Sequence, residues 1–283
     1  VFTHRRPEET KPALGSLAEL ARAEGVTLRF SPEETAKHGL VAGPGVVVDA
    51  ELDRDVDICF ALGGDGTILT ALRKYAGTGV PVFGINFGEI GFLSAVDRDR
   101  ATEGIQRALA GHFEVLSLPG VAVTGASAWT VTERMAINDV SIQRRQGSRV
   151  ADLAYFIGDD EIGRVRCDGL VIATPAGSTG YNLANGGPVM AWGVEGYVVS
   201  FIAPHSLTAR ALVVAPTDRL TIRNRSQEEL VDVVLDGRPM AELTPGESLE
   251  IGFERDQGTL AQISGVNFYA RLREKFGRLA SLP

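Results

Sequence analysis

Apolar positions fall into two rhythms along the chain. In residues 1–112, stretches with helical spacing alternate with short apolar runs. Leu14, Leu17, Ala18 and Ala21 share one helical face, and Val26–Phe30 then reads as a strand. Ser31-Pro32-Glu33-Glu34 has the form of a capping box with proline at the first helical position. Val46–Val48, Asp57–Leu62 and Pro81–Ile85 predict further strands, and Ile68, Leu69 and Leu72 mark one face of a helix. Val1–His4 reads as the tail of a first strand. This βαβα order predicts a parallel sheet flanked by helices.

The rhythm changes near residue 113. Short β-rich runs follow at Trp129–Thr132, Ile137–Gln143, Leu153–Ile157, Leu170–Ala173, Tyr197–Ile202, Leu220–Arg223 and Leu230–Leu235. Turn pairs such as Asp236-Gly237 punctuate them, which predicts an all-β, sandwich-like domain. Phe268, Leu272 and Phe276 return to helical spacing, so a C-terminal helix is expected to pack back on the first domain. The expected division is 1–112 joined by 266–283, with 113–265 as the second domain.

Composition narrows the classes. Of 283 residues, 44% are hydrophobic and 23% charged, as in soluble globular chains. The net charge of −8 argues against nucleic acid as a partner, so an anionic ligand would need a local basic pocket. Cys59 and Cys167 have no metal-ligand spacing, and two isolated thiols favour a reducing, cytoplasmic setting. No apolar run is long enough for a bilayer, and the four histidines share no motif.

Candidate chemistry lies in two glycine-rich, acid-bearing segments, expected to form one active site. Gly63-Gly64-Asp65-Gly66-Thr67 directly follows an apolar strand and opens a helix. Glycines let backbone amides approach an oxyanion, and the helix dipole favours negative charge there. It is neither a Walker A loop nor Gly-x-Gly-x-x-Gly. An acid beside phosphates suggests a general base or a magnesium ligand. The plain alternative is a tight turn with a capping aspartate. Asn86–Leu93 closes the next strand with a second glycine-rich loop.

The second constellation begins at Asn138-Asp139, where an amide and a carboxylate can read a base edge and a ribose hydroxyl; an Asx turn is the bland reading. Arg166 offers charge to a diphosphate, and Asp168 can accept from sugar hydroxyls; a surface salt bridge is the alternative. In Thr174–Tyr181, Ser178 and Thr179 supply hydroxyls, Gly177 and Gly180 permit close approach, and Tyr181 offers a stacking face.

These motifs, taken in order, resemble the NAD kinase family over nearly the whole chain. The likeness includes Gly63–Thr67, Asn86–Leu93, Asn138-Asp139, Asp168-Gly169, Thr174–Tyr181, Gly186-Gly187-Pro188, Pro204–Leu207 and Asn267–Leu272. It implies a Rossmann-like α/β domain with a β-rich partner and phosphorylation of the 2′-hydroxyl of the adenosine ribose of NAD. It implies ATP, or sometimes polyphosphate, as donor, and a homodimer or homotetramer. Asp65 is then the proton acceptor. Asn138, Asp139, Arg166, Asp168, Thr179, Gly180, Tyr181, Asn182, Leu183 and Ala184 line the dinucleotide site, with Arg149 and Arg238 at positions that also touch it. Mg²⁺ or another divalent cation, together with Gly63, Gly64, Gly66 and Thr67, would hold the ATP phosphates.

Three departures stand out. Asp139 replaces the family's usual glutamate, Ala176 and Gly180 replace Thr and Ala, and Thr70 replaces a common basic residue. Two other readings remain: a lipid kinase sharing the first motif, and a non-catalytic dinucleotide sensor.

Overall fold

The structure is a computed structural model that describes residues 1–88, 91–125, 128–129, 134–265 and 268–277. Two compact units are present, residues 1–117 with 258–283, and residues 118–257.

In the first unit, the strands Phe2–Thr3, Cys59–Gly63, Val82–Asn86 and Val96–Asp97 run parallel, joined by the end of the long strand Ser248–Gln262. Every residue of Cys59–Gly63 and Val82–Asn86 is buried, the continuous apolar pattern of a sheet covered on both faces. The helix Pro7–Ala23 buries Ala13, Leu14, Leu17 and Ala21, three of them on the face expected. Asp65–Lys74 buries Ile68, Leu69, Ala71 and Leu72. Gly84 leaves room in the sheet for Ile68, where a Cβ would collide.

Two details differ from the sequence reading. Ser31 caps Pro32–His38 by accepting from the Glu34 amide at 3.3 Å, but Glu34 does not return the bond. Its buried carboxylate accepts instead from the Thr3 amide at 3.0 Å and the Thr3 hydroxyl at 2.5 Å. A helix at Ala101–Leu109 escaped notice because small residues carry most of its buried stripe, Ala101, Gly104, Ile105 and Ala108.

The second unit is built of two sheets. One has Asp139–Arg144 between Gly169–Ala173 and Val231–Leu235, all antiparallel, with further strands on both sides. The other includes Ala151–Ile157, Asp160–Cys167, Leu220–Asn224 and the start of Ser248–Gln262. Alternate residues from both sheets, among them Ile142, Leu153, Leu170, Ile222, Val233 and Ile251, form one core. This is the two-layer solution of a sandwich. Asp236 and Gly237 have φ of 46° and 75°, a hairpin turn linking Val231–Leu235 to Arg238–Leu243.

The expected strand at Trp129–Thr132 appears as Ala128–Trp129, and its remaining residues lie outside those described. The C-terminal helix spans Phe268–Phe276 within the first unit, while Asn267 lies outside the described residues.

Candidate functional site

In the first unit, Gly63 ends a buried strand and Gly64 caps the helix Asp65–Lys74 without any side-chain bond. The turn closes on itself, with the Gly64 carbonyl accepting from Thr67 at 2.9 Å and Ile68 at 3.3 Å. A Cβ on Gly63 would collide with the Thr67 hydroxyl, so packing fixes this glycine. Gly66 is different: among the described residues nothing lies within 4 Å of the Cβ it lacks, which leaves the helix terminus open to an approaching oxyanion.

Asp65 turns towards the neighbouring loop. Its Oδ2 accepts from the Phe92 amide at 3.0 Å and its Oδ1 from the Leu93 amide at 3.1 Å. Burial pushes its carboxyl above the ordinary 3.8, while these two amides, Arg271 and Lys275 pull it back. Each oxygen keeps a lone pair beyond the amide bond, so a substrate hydroxyl could still donate to it. Asn86 braces the same edge, donating to Asp97 Oδ1 at 2.9 Å and accepting from the Gly88 amide at 2.9 Å. Glu89 and Ile90 of this loop lie outside the described residues.

In the second unit, Asn138 and Asp139 are gripped from two sides. Thr174 donates its hydroxyl to the Ile137 carbonyl at 2.6 Å and its amide to the Asn138 carbonyl at 2.9 Å. A Cβ on Gly177 would strike that same carbonyl. On the other side, the Asp236 carboxylate accepts from three consecutive amides: Ile137 at 3.0 Å, Asn138 at 2.8 Å and Asp139 at 3.1 Å. Sequence reasoning saw Asp236 only as a turn residue. Its signal was available in the antiparallel neighbour relation of the two strands, which no local motif displays.

The grip leaves polar groups waiting for partners. Among the described residues, Asn138 Oδ1 and Asn182 Oδ1 are buried without a hydrogen-bond partner. Asp139 is buried beside Asp236, and desolvation followed by that negative neighbour pushes its carboxyl up to about 7. Tyr181 is 37% exposed, and its phenol is pushed up by burial and by the charges of Asp139 and Asp168. The strand register sets Asp139 opposite Ala173 and Gln143 opposite Gly169. The two acids therefore stand at opposite ends of one strand pair, roughly 17 Å apart along it. Tyr181 lies within electrostatic reach of both.

Other candidates fall elsewhere. Asp168 pairs with Arg144, through Nε at 2.5 Å and Nη2 at 3.4 Å, and not with Arg166. Arg144, absent from the sequence reading, lies one residue beyond Gln143 and its partner Gly169. Arg166 and Arg149 are exposed, and Arg238 is half-buried. Ser178 is fully buried and its hydroxyl bonds the Pro175 carbonyl at 2.7 Å and the Met190 amide at 2.9 Å, so it braces the loop internally. Thr179 is half-buried with its hydroxyl 3.3 Å from the Ala176 carbonyl. Asn182 is likewise internal, donating to the carbonyls of Ser178 and Pro188 at 2.9 and 3.0 Å. Gly180 and Ala184 are exposed and Leu183 half-buried on the same short helical segment. Among the described residues no three His, Cys, Asp or Glu side chains form a metal-holding group, and no helix is long and apolar enough to cross a membrane.

Comparison with known proteins gives a consistent picture. Residues 20–113 match the ATP-NAD kinase N-terminal domain and residues 137–255 the ATP-NAD kinase C-terminal domain. The chain is 32% identical over 282 residues to an NAD kinase of Gemmatimonas aurantiaca, covering 98% of this chain and 94% of that protein. A yeast NADH kinase solved with NADH shares the fold at a TM-score of 0.84 and 22% identity, over 99% of this chain and 87% of the yeast chain. An NAD kinase from Archaeoglobus fulgidus solved with ATP superposes with a TM-score of 0.67 and 25% identity, over 90% of this chain and all of that one.

Proposed function

The chain belongs to the ATP-NAD kinase family, and from that premise we propose that it transfers the γ-phosphoryl group of ATP to the 2′-hydroxyl of the adenosine ribose of NAD, giving NADP. Asp65 is the general base: its carboxylate accepts the hydroxyl proton as oxygen attacks phosphorus. The observation that carries this reading is the fixed orientation of Asp65, an acid held by two backbone amides at the mouth of an open glycine turn. Gly63, Gly64, Gly66 and Thr67 form the turn that receives the phosphates. Phosphoryl transfer asks little covalent work of a protein, so positioning and electrostatics supply most of the acceleration.

Asn138, Asp139, Asp168 and Tyr181 hold the dinucleotide, with Tyr181 as a stacking face and Asn138 Oδ1 as an acceptor for an adenine or ribose donor. Arg149, Arg166 and Arg238 supply positive charge, and Thr179–Ala184 shape the wall. Mg²⁺ would enter as part of the metal–nucleotide substrate, beside the Gly63–Thr67 turn. When bound, it neutralises charge on the transferring phosphoryl group. Polyphosphate as an alternative donor, a homodimeric or homotetrameric assembly and a cytoplasmic setting complete the proposal and rest on the family likeness alone.

The deciding assay combines purified protein, NAD or NADH, Mg²⁺ and either ATP or polyphosphate, with product detected by an NADP-specific dehydrogenase. NADP formed in proportion to enzyme is the expected result. Calorimetric NAD binding with no NADP from any donor would make the chain a sensor, and phosphorylated diacylglycerol in its place would make it a lipid kinase.

A further inference from the structure

The loop that presents amides to Asp65 is itself gripped from behind. Arg271, from the helix Phe268–Phe276, donates through Nη1 to the Gly91 carbonyl at 2.9 Å and to Ser94 Oγ at 3.4 Å. Its Nη2 donates to the Ser94 carbonyl and to Gln262 Oε1, the latter at 2.7 Å. Gln262 then donates through Nε2 to the Leu93 carbonyl at 3.2 Å. Residues 91–94 are thus pinched between two sets of side chains. Their carbonyls at Gly91, Leu93 and Ser94 face Arg271 and Gln262, while their amides at Phe92 and Leu93 face Asp65.

We propose that Arg271, braced by Gln262, is the positioning residue that sets the orientation and charge state of Asp65 through this loop. The inference rests on the reading of Asp65 as the base. Packing supports it. The Phe276 ring lies 5.6 Å from that of Phe92, so the helix meets the loop twice. A Cβ on Gly91 would come 2.7 Å from Asn86 Nδ2 and 2.8 Å from Ser94 Oγ, so the loop is confined on its other side as well. Chemistry supports it too. Burying a guanidinium is costly unless its donors are satisfied. Arg271 is 6% exposed, and the bonds named above engage both of its terminal nitrogens with carbonyl, hydroxyl and amide oxygens of the loop and of Gln262. The same guanidinium lies within electrostatic reach of Asp65, and Arg271 and Lys275 are cations that favour the charged form of that acid. Asp97 and Glu274 are further charged groups that Arg271 faces.

The test uses the full chain and four variants: Arg271→Met, Arg271→Lys, Gln262→Leu and Asp65→Asn. kcat and KM are measured separately from about pH 5 to 9, and hydrogen exchange is followed over residues 88–95 by mass spectrometry. Arg271→Met is expected to lower kcat about a hundredfold with both KM values within about threefold, the scale of a misplaced catalytic group. Its acidic limb should move to higher pH, because removing a cation raises the pKa of the carboxylate. Exchange over 88–95 should quicken. Arg271→Lys keeps the charge, so its limb should stay near that of the wild type while kcat falls less. Gln262→Leu removes one brace and is expected to cost about tenfold in kcat, which keeps the proposal testable if Arg271→Met does not fold. Wild-type kcat and unchanged exchange in either folded Arg271→Met or Gln262→Leu overturns the proposal. A folded Arg271→Met that loses kcat with an unmoved acidic limb removes the charge role. Asp65→Asn separates the two claims: full turnover there defeats the base while quickened exchange in Arg271→Met still establishes the clamp, and a dead Asp65→Asn beside an indifferent Arg271→Met leaves the base and defeats the clamp.

Discussion

Asp65 is half-buried and Asp139 buried, both beside glycine-rich turns, yet their surroundings are opposite. Asp65 receives two backbone amides and faces Arg271 and Lys275. Asp139 has a second carboxylate, Asp236, for its charged neighbour, and its carboxyl rises to about 7. Donors and cations keep the first acid ready to take a proton. The second acid resists ionisation until something arrives to share its environment. One environment suits a base, the other a binding group whose charge is settled by the ligand. The lesson is that burial alone says little about an acid's role; the sign of what is buried with it decides.

The comparison can be broken at three points. Replacing Asp65 by Asn should lower kcat about a thousandfold, as loss of a general base does, with the dissociation constant for NAD within about tenfold of wild type. Steady-state kinetics paired with calorimetry checks both halves, and near-normal turnover would end the contrast.

Asp236→Ala removes the acceptor of three amides at once. A buried donor left unpaired costs about 1–3 kcal/mol, so the variant should lose about 3 kcal/mol of stability even after relief of Asp139, and NAD affinity should fall at least about tenfold. Urea unfolding and calorimetry measure the two losses. Unchanged stability would show that water or other groups take over those amides.

The smallest effect has the less familiar sign. The folded pKa of Asp139 lies above the ordinary 3.8, so the stability this group contributes is present below about pH 4 and is lost as pH rises towards and past 7. Asp139→Asn cannot ionise. It should therefore be more stable than wild type at pH 8 by on the order of 2 kcal/mol, with the gain shrinking towards pH 5, while binding NAD more weakly. Thermal unfolding at both pH values provides the readout, and a pH-independent difference would mean that Asp139 ionises freely in the folded protein.

Much of this molecule could be read in advance where side chains repeat. The buried strand before Gly63 and the helix face of Ile68, Leu69 and Leu72 declare themselves through periodicity. So does the alternation of Val231, Val233 and Leu235. Asp160–Cys167 was missed because an exposed edge strand carries mostly polar residues, and Ser248–Gln262 because Glu250, Glu254, Arg255 and Asp256 interrupt its apolar pattern. The points where one unit gives way to the other lie within the continuous strands Glu114–Thr124 and Ser248–Gln262, a few residues from where the apolar rhythm changes. The site followed the same rule. Glycines and acids in short motifs were visible. The residues that aim them, Asp236 across 97–99 positions and Arg271 across 177–180, were hidden because distance in sequence conceals adjacency in space.

The long strand Ser248–Gln262 also bears on how the protein is made. Synthesis runs from the amino end, so every residue of 118–257 is joined to the chain before residues 258–283 are added. The unit that carries Asp65 must wait, because its sheet takes a strand from residues 260–261 and its loop takes a clasp from residue 271. A message cut short by a late stop codon would thus yield a finished sandwich attached to an α/β unit lacking its last strand and its clasp.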